Sequence, residues 1–571
     1  MMISTRTLAF RAASKRSLPR AAVRLNSYKV PAGRNEPNLH YAPGSPERTA
    51  LKDALDSLKK SLPLSVSAHI AGSKATSSKL EDQIIPSDHA TVLSRVPQST
   101  PEQVSSAIEA ALAAKPAWES KPFADRAAIF LRAAELVAGK YRNQLIAATM
   151  LGQGKNAWQG EIDAAAELAD FYRFNAGNAQ ELLERQPTLN APGIWSRTEY
   201  RPLEGFVYAV SPFNFTAIGG NLVSAPALLG NVVVWKPSPS SAYASYLVYQ
   251  ILLEAGLPPN VIQFVTGDAA EITKTVLAHK QFAGLHFTGS SDVFRTLYGE
   301  ISKGVVDKKY VSYPRLVAET SGKNFHLLHP SADVKSAVNH TIRAAFEYQG
   351  QKCSACSRAY IPKSLAKPFI ERLKTETEAL QIGDPAEFEN FLGPVIHRGA
   401  FEKIKRTIDS SNNDKTLQRI TGGTYDDSKG FYIKPTVYLT EDADHALFDS
   451  EIFGPVLVLH VYPDEDWKGI MKSIDERGGG FALTGAVFAA DRDAIREAEE
   501  TLKYSAGNFY INCKTTGAVI GQQSFGGGRA SGTNDKAGSA NLLLRFTSPR
   551  TIKEEFMPLD RVAYPSNEKQ G

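Results

Sequence analysis

Two cysteines with small neighbours are the residues best suited to chemistry in this chain. Cys353 and Cys356 lie in the segment FEYQGQKCSACS at residues 346–357, and they are two of only three cysteines among 571 residues. Gly350 precedes Cys353 and Ser354 follows it, so a substrate carbonyl can reach the sulfur. A thiolate is a strong nucleophile, and this setting predicts covalent catalysis at Cys353. The alternative is a free cysteine that packs in the core as a small apolar residue.

The C-x-x-C spacing of the pair also allows redox or metal chemistry. A zinc site would need a second pair of ligands, but Cys513 stands alone and no His-x-x-x-His cluster is present. A thioredoxin-like pair would need to begin a helix after the first strand of a small domain. We therefore predict no metal site and a single nucleophile, Cys353, with Cys356 as a packed small residue.

Three polar side chains follow short apolar segments that have the character of strands. Asn214 follows FVYAVSP, Lys236 follows VVVW, and Glu319 ends LVAE. Ligands of α/β proteins bind beyond the carboxyl ends of parallel strands, so these residues are candidates for a site. An asparagine amide can stabilise an oxyanion, a lysine can donate to ribose hydroxyls, and a carboxylate can act as a general base. Taken alone, each has a simpler explanation: a turn-forming asparagine, an exposed lysine or a solvated glutamate.

A Gly-Ser pair and a second carboxylate are further candidates. Gly289 and Ser290 follow the strand LHF and open a helical stretch. A helix N-terminus offers backbone N–H groups to a phosphate, although a helix cap by Ser290 explains the pair equally well. Glu451 lies in the sequence EIFGP, two residues before Phe453. The glycines of residues 526–532 do not follow a strand, so they do not predict a dinucleotide fingerprint.

The elements that would position these residues form a repeated α/β pattern. Residues 100–103 have the spacing of a helix start, and alanine-rich helical segments follow. Residues 205–323 alternate short apolar strands with helices, and residues 325–512 repeat the pattern. This predicts an α/β protein with two domains, each built on a parallel sheet covered on both faces. An exposed strand at residues 195–201 is expected to pair with a last strand at 542–555.

The N-terminus differs in composition from the rest of the chain. The first 34 residues contain eight Lys or Arg and no Asp or Glu, with apolar residues between the basic ones. This composition is typical of a mitochondrial presequence, and a basic arm that binds nucleic acid is the alternative. Removal of residues 1–27, which hold six basic residues and no acidic one, lowers the net charge from +5 to −1. The remainder therefore has no overall charge that favours nucleic acid.

Length and composition narrow the class of protein further. A chain of 571 residues forms two or three domains with sizeable cores. Hydrophobic residues make up 43% and charged residues 22%, as in soluble globular enzymes. No apolar run approaches the ~18 residues that span a membrane. Three cysteines cannot form a disulfide framework, which indicates a reducing compartment.

Taken in order, the motifs resemble the pattern of the aldehyde dehydrogenase superfamily. That pattern runs P-x-N, K-P-S, F-T-G-S, a glutamate, G-Q-x-C and E-x-F-G-P. The six motifs are found here at residues 212–214, 236–238, 287–290, 319, 350–353 and 451–455. The resemblance extends from about residue 90 to the C-terminus and implies an α/β fold with two parallel-sheet domains and a small β oligomerisation flap.

Within the superfamily, the chain is most similar to members that oxidise L-glutamate γ-semialdehyde to L-glutamate in mitochondrial proline breakdown. The similarity lies in the sequence around Cys353 and in three segments that begin at residues 33, 161 and 521: GRNEPNLHYAPGSPER, EIDAAAELADFYRFNA and GQQSFGGGRASGTNDKAG. It implies NAD as cofactor, a small-molecule substrate, the mitochondrial matrix as location, and a homodimer or larger homo-oligomer. It gives no reason to expect nucleic acid or a membrane span.

The resemblance also implies a role for each candidate residue. Cys353 would attack the aldehyde carbon, Asn214 would hold the oxyanion, and Glu319 would activate the water that hydrolyses the thioester. The implied cofactor-binding residues are Ser211, Lys236, Gly289, Ser290, Ser291, Asp292, Val293, Glu451 and Phe453. The implied substrate-binding residues are Glu167 for the ammonium group, and Phe215, Ser354, Gly517, Ala518 and Phe525.

The domain division implied by the resemblance has four parts. They are a presequence at 1–27, an NAD-binding domain at 28–185 and 204–322, a catalytic domain at 323–520, and oligomerisation strands with a C-terminal tail at 186–203 and 540–571.

Two positions depart from the pattern. Pro239 follows the K-P-S motif, where many members carry an acid that disfavours a 2′-phosphate, so NADP stays open beside NAD. Ala518 stands where some members have serine, and its backbone N–H can still bind a carboxylate. Succinic semialdehyde is the alternative substrate, and Glu167 with the turn at 517–518 would decide between the two. A non-catalytic protein that kept the fold is disfavoured, because the candidate cysteine, asparagine and glutamate are all present.

Overall fold

The computed structural model describes residues 29–75, 77–478 and 481–569, and the predicted presequence at residues 1–27 lies outside them. Up to residue 319 the strands are β1 (Leu64–Ser65), β2 (Ala68–Ile70), β3 (Ser73–Ala75), β4 (Leu80–Ile85), β5 (Asp88–Pro97), β6 (Ile194–Pro202), β7 (Phe206–Val210), β8 (Val232–Lys236), β9 (Ile262–Phe264), β10 (Phe282–Thr288) and β11 (Arg315–Glu319). The remaining strands are β12 (Phe325–Leu328), β13 (Arg358–Pro362), β14 (Gln418–Thr421), β15 (Tyr425–Asp426), β16 (Tyr432–Ile433), β17 (Thr436–Thr440), β18 (Val456–Tyr462), β19 (Ala482–Phe488), β20 (Ala506–Ile511) and β21 (Thr547–Glu555).

Helices connect most of these strands. In the first half they are α1 (Pro46–Lys60), α2 (Pro101–Glu119), α3 (Phe123–Ala138), α4 (Arg142–Gln153), α5 (Ala157–Gly160), α6 (Leu168–Glu184), α7 (Thr216–Leu228), α8 (Ala242–Glu254), α9 (Ala269–Ala278) and α10 (Ser291–Val306). In the second half they are α11 (Val334–Phe346), α12 (Lys363–Glu378), α13 (Arg398–Asn413), α14 (Trp467–Glu476), α15 (Arg492–Thr501) and α16 (Ala540–Arg545). A π-helical turn, Glu161–Glu167, joins α5 to α6.

The first sheet contains seven strands in the order β11-β10-β7-β8-β9-β2-β3. The strands from β11 to β9 are parallel, whereas β2 and β3 add an antiparallel edge. Every residue of β8 is buried, as its continuous apolar run predicts for a strand covered on both faces. Asn214 follows β7, Lys236 ends the adjacent β8, and Glu319 ends β11, which β10 separates from β7. All three residues therefore lie at the carboxyl ends of parallel strands of this sheet.

The second sheet also contains seven strands, in the order β14-β17-β18-β13-β12-β19-β20. Its strands are parallel except for β14, which pairs antiparallel with β17. The chain crosses from β11 in the first sheet to β12 in the second within residues 320–324. This short crossing brings Glu319 close to the start of the second sheet. The predicted α/β class with two parallel-sheet domains is confirmed.

A two-stranded ribbon lies apart from both sheets. β6 pairs antiparallel with β21, and Trp195 stands opposite Glu554. The predicted pairing is confirmed, but the expectation that this strand begins at residue 542 is wrong. Residues 540–545 form α16 instead, because Ser539 caps its N-terminus and Leu543 is buried.

The start of α2 shows how locally the helices are specified. The Thr100 hydroxyl accepts a hydrogen bond from the Gln103 backbone N–H, and the Gln103 side chain accepts one from the Thr100 N–H. This is the capping box that the sequence predicts.

Among the described residues, no helix is long and apolar enough to cross a bilayer. In the same part of the chain, no group of three His, Cys, Asp or Glu side chains could hold a metal ion.

Candidate active site

Two cavities meet at Cys353. The larger has a volume of about 1300 Å³ and the smaller about 400 Å³. Cys353, Phe287 and Thr288 line both of them. The thiol is half-buried, so a group in either cavity can approach the sulfur.

A left-handed turn presents the cysteine. Tyr348, Gln349 and Gly350 have φ values of 52°, 56° and 68°, a conformation that costs energy for residues with a Cβ. A Cβ on Gly350 would lie 2.4 Å from the Gly454 carbonyl oxygen. Close backbone packing therefore requires a glycine at this position. This explains Gly350 better than the open approach to the sulfur that the sequence suggests.

Two asparagines hold the cysteine loop in place. The Asn214 amide donates to the Gln351 carbonyl oxygen at 3.0 Å. The Asn324 amide donates to the carbonyl oxygens of Cys353 at 2.7 Å and of Ala355 at 2.9 Å. Asn214 uses one amide proton in this bond and has a second to offer. Sequence reasoning missed Asn324, whose only local signal is its place at the crossing between the sheets.

The carboxylate of Glu319 lies on the glycine-rich segment at residues 526–532. Its Oε2 accepts a hydrogen bond from the Gly527 N–H at 2.9 Å. A Cβ on Gly526 or Gly532 would lie 3.0 or 3.1 Å from a carboxylate oxygen. These glycines make room for Glu319, a function that could not be predicted because they follow no strand. Burial raises the pKa of Glu319 to about 8.

The two cysteines of the C-x-x-C pair have different surroundings. Burial, together with the charges of Glu319, Glu451 and Glu167, raises the pKa of Cys353 to about 12. The thiol is therefore protonated at neutral pH and needs a base to react. Cys356 is buried, and its Sγ lies 3.4 Å from the Arg358 carbonyl oxygen. It lines neither cavity.

Most of the predicted cofactor residues line the larger cavity. They are Ser211, Lys236, Gly289, Ser290, Val293, Glu451 and Phe453. Lys236 is buried at the end of β8, and the Ser211 hydroxyl accepts a hydrogen bond from the Trp235 indole at 2.9 Å. The cavity also borders the N-terminus of α10, which Ser290 caps. A lysine, a helix N-terminus and a carboxylate along one cavity suit ribose hydroxyls and phosphates of a dinucleotide.

Two of the predicted cofactor residues line neither cavity. Ser291 is buried in the first turn of α10, where its backbone N–H donates to the Ser321 hydroxyl at 3.2 Å. Asp292 points to solvent and pairs with Arg295. Their side chains face away because successive residues of a helix point about 100° apart, so only part of its first turn faces the cavity.

Another part of the wall of the larger cavity is built around Glu451. The Gly322 N–H donates to its carboxylate at 3.1 Å, and the Lys403 ammonium donates to its backbone carbonyl at 3.0 Å. Phe453 has a φ of 59° and packs edge-on against Phe213 at 5.9 Å. Sequence reasoning missed Lys403, which lies on α13, a helix that carries none of the recognised motifs.

The smaller cavity is lined by all six residues predicted to bind the substrate: Glu167, Phe215, Ser354, Gly517, Ala518 and Phe525. Glu167 ends the π-helical turn, a feature that often occurs at functional sites. Burial and the charge of Asp163 raise its pKa to about 8, against the opposing charges of Lys155 and Lys352.

Several charged residues around the smaller cavity were not predicted. Lys155 is buried, pairs with Asp163 at 2.7 Å, and places its ammonium 4.1 Å from the centre of the Phe215 ring. The Asp163 carboxylate also accepts from the backbone N–H groups of Thr216 and Ala217 at the start of α7. This pair fixes the π-helical turn to α7 and to the aromatic wall.

The N-terminal segment closes one side of the same cavity. Asn35 and Glu36 line it, and Asn35 donates to the Asp170 carboxylate at 2.7 Å. Glu36 forms ion pairs with Arg142 at 2.7 Å and with Arg173 at 2.8 Å. The partners lie more than a hundred positions apart in sequence, so no local pattern could reveal them.

Comparison with known proteins agrees with this geometry. The model of the aldehyde dehydrogenase family matches residues 73–552. The mitochondrial delta-1-pyrroline-5-carboxylate dehydrogenase of Emericella nidulans is 57% identical over 564 residues, covering 97% of this chain and 98% of the relative. The human protein of that name is 47% identical over 531 residues, with 93% of each covered. A crystal structure of the Mycobacterium tuberculosis delta-pyrroline-5-carboxylate dehydrogenase bound with NAD has a TM-score of 0.90 at 46% identity, covering 95% of this chain and 99% of that one.

The family match covers most of the chain, and the motifs of the cysteine loop, Glu319 and Glu451 lie within it. The chain therefore belongs to the aldehyde dehydrogenase family.

Proposed function

We propose that this protein oxidises L-glutamate γ-semialdehyde, the open form of Δ1-pyrroline-5-carboxylate, to L-glutamate with NAD, the second step of proline degradation. The observation that carries the proposal is the position of Cys353 between a cavity large enough for a dinucleotide and a small cavity with charged walls. The names of the relatives support the same substrate, and one solved neighbour is described as bound with NAD.

The first chemical step belongs to Cys353. A water molecule in the cavity takes the proton of its thiol, and the sulfur attacks the aldehyde carbon. The product is a tetrahedral thiohemiacetal whose oxygen carries the negative charge. The free amide proton of Asn214, whose nitrogen is fixed by its bond to Gln351, and the Cys353 backbone N–H stabilise that oxygen. When bound, NAD supplies the acceptor for the hydride that leaves this carbon, so that a thioester remains on Cys353.

Hydrolysis of the thioester belongs to Glu319. Its carboxylate takes a proton from water, the hydroxide attacks the thioester carbon, and the carbon–sulfur bond breaks to release L-glutamate and the thiolate. The Gly527 N–H orients the carboxylate by binding one of its two oxygens, which leaves the other for the water. The raised pKa of about 8 suits a base that must accept a proton near neutral pH.

The cofactor residues act by binding and orientation. Lys236 and Glu451, which both line the larger cavity, would hold the two ribose groups. Gly289 and Ser290 border the N-terminus of α10, where the positive end of the helix dipole suits the pyrophosphate. Phe453 packs beside Glu451. Without an acid after the K-P-S motif, the preference for NAD over NADP rests on the named relatives.

The substrate residues recognise the amino-acid end. Glu167 faces the ammonium group and would lose its own proton when that cation binds, because an opposite charge lowers the pKa of a carboxyl. Ser354 and the backbone N–H groups of Gly517 and Ala518 bind the α-carboxylate. Phe215 and Phe525 enclose the aliphatic part.

Location and assembly complete the proposal. The names of several relatives place them in mitochondria, which supports the mitochondrial matrix for this protein.

The β6–β21 ribbon has only two strands, and such a ribbon is marginally stable by itself. Phe556 and Leu559 just beyond it are 61% and 78% exposed. A second copy of the chain would cover these edges and side chains, as in a homodimer or larger homo-oligomer.

The decisive experiment measures NADH formation with Δ1-pyrroline-5-carboxylate, succinic semialdehyde and pentanal under the same conditions. We expect the highest kcat/KM with the first, because it alone presents both an ammonium and a carboxylate to the smaller cavity. A higher kcat/KM with succinic semialdehyde would overturn the proposal.

A further inference from the structure

Three charged side chains form a cluster behind the turn at residues 517–518. The Lys514 ammonium donates to both oxygens of the Glu347 carboxylate, at 2.9 and 2.8 Å. The Lys352 ammonium donates to the same carboxylate at 3.3 Å. We call Glu347, Lys352 and Lys514 the two-lysine cluster.

The cluster carries more positive than negative charge. Burial alone would raise the pKa of Glu347, but the charges of Lys352 and Lys514 hold it below its usual range, so the carboxylate is ionised. Burial lowers the pKa of Lys352 to about 8, so its amine is still mainly protonated at neutral pH. Two ammonium groups then share one carboxylate, which leaves one positive charge without a negative partner in the cluster. The nearby Lys155 does not change this balance, because Asp163 neutralises it.

The surplus charge faces the smaller cavity. Lys352 and Lys514 both line that cavity. The side chains of Glu347 and Lys352 are 5% and 3% exposed, whereas that of Lys514 is 19% exposed. Lys514 is therefore the member of the cluster that an entering anion can approach. Screening by salt is weak at such a partly buried position.

Lys514 also lies beside the turn that is proposed to bind the α-carboxylate. A Cβ on Gly517 would meet the Lys514 Cε at 3.7 Å, so the lysine stem packs against this turn. Thr516, the residue before Gly517, is 3.4 Å from the Glu347 carboxylate through its hydroxyl. Glu167, whose carboxyl is proposed to bind the ammonium group, lies on the separate π-helical turn. The cavity thus has a cationic wall on one element and, on another, a carboxyl that ionises when the ammonium group binds.

We propose that Lys514 is a specificity-determining residue that selects aldehydes with a carboxylate at the end remote from the reacting carbon, and that Glu347 holds it in position for this. The inference rests on the proposed function and adds a residue to it. A charged donor beside an anion strengthens binding more than neutral N–H groups alone. Loss of Lys514 should therefore penalise carboxylated substrates and spare uncharged ones.

The test compares Lys514→Met with the wild-type full chain on glutamate γ-semialdehyde, succinic semialdehyde and pentanal. We expect kcat/KM for both carboxylated substrates to fall about tenfold relative to pentanal, mostly through KM, which corresponds to about 1.4 kcal/mol. Because each ratio compares substrates on one preparation, it does not depend on the folded fraction. Lys514→Arg should restore most of the preference, and Lys503→Met, at an exposed lysine, is the matched control.

A binding measurement gives a second readout that does not need turnover. We expect calorimetry to show L-glutamate binding about tenfold more weakly to Lys514→Met than to wild type. The binding of 4-aminobutanoate, which lacks the α-carboxylate, should be unchanged. Equal changes for both ligands, or a substrate ratio within twofold of wild type, would overturn the assignment of Lys514. A wild-type preference for pentanal would instead overturn the proposed function, and the effect of the substitution on the ratio would still decide the role of Lys514.

Discussion

At the level of single residues, we expect the two cysteines of the C-x-x-C pair to differ in their contribution to activity. Cys353 lines both cavities, whereas Cys356 is buried and lines neither. We expect Cys353→Ala to lower kcat by at least about 10³-fold, as removal of a nucleophile does in other enzymes. Cys356→Ala should keep most of the activity, because it removes only a packed sulfur. NADH formation measures both, with Cys513→Ala as the control, and equal losses would indicate a paired-cysteine mechanism.

We expect the rate of thioester hydrolysis to depend on pH through the Glu319 carboxyl. Because the pKa of Glu319 is raised to about 8, its carboxyl is protonated below that pH and cannot accept a proton from water. We expect the rate of thioester hydrolysis to rise between about pH 6.5 and 9, while acylation follows a different profile. Stopped-flow absorbance of NADH separates the two steps.

The substitution Glu319→Gln tests this assignment. It should leave a rapid burst of NADH followed by a slow steady state with no rise near pH 8, and mass spectrometry should detect the acyl-enzyme. Glu181→Gln, at an exposed site on α6, is the matched control. A variant that hydrolyses the thioester at the wild-type rate would remove Glu319 from this role.

At the scale of elements, the left-handed turn before Cys353 carries the geometry of the site. Gly350 has a φ of 68°, and a Cβ there would lie 2.4 Å from the Gly454 carbonyl oxygen. The left-handed conformation alone costs about 1–2 kcal/mol for alanine. Gly350→Ala should therefore lower Tm. It should also lower kcat by about tenfold or more, because the shifted turn would displace the sulfur.

The control for this turn is a glycine with open space around it. A Cβ on Gly299, in α10, meets nothing within 4 Å. Gly299→Ala should raise stability by up to about 1 kcal/mol, since alanine is the better helix former. Calorimetry and steady-state kinetics measure Tm and kcat for both variants. An unchanged Tm and kcat in Gly350→Ala would show that the turn tolerates a side chain.

At the scale of the whole molecule, the β6–β21 ribbon should hold the subunits together. It exposes strand edges, and unpaired edges tend to pair with another chain. We expect the full chain to sediment as a dimer or larger assembly, and a chain ending at residue 546 to sediment as a smaller species. Removal of residues 565–571 alone is the control, because it keeps β21 and the exposed side chains of Phe556 and Leu559. Analytical ultracentrifugation over a range of concentrations checks this, and a monomeric full chain would contradict it.

Features that depend on residue type and short-range pattern could be predicted from the sequence alone. Apolar runs between helices identified the α/β class, the capping box marked the start of α2, and the alternation at residues 195–201 identified an exposed strand. The chemistry open to Cys353, Asn214 and Glu319 was also visible, because a thiol can act as a nucleophile, an amide as a hydrogen-bond donor and a carboxylate as a base whatever the fold.

Which of these groups share a cavity, and what surrounds them, depends on the folded chain. The glycines of residues 526–532 are explained by the carboxylate of Glu319, some two hundred positions earlier in the chain. The two-lysine cluster joins Glu347 to Lys514 across 167 positions. The raised pKa values of Glu319 and Cys353 depend on burial. Long-range packing sets such contacts and such desolvation, and neither leaves a periodic signal in the sequence.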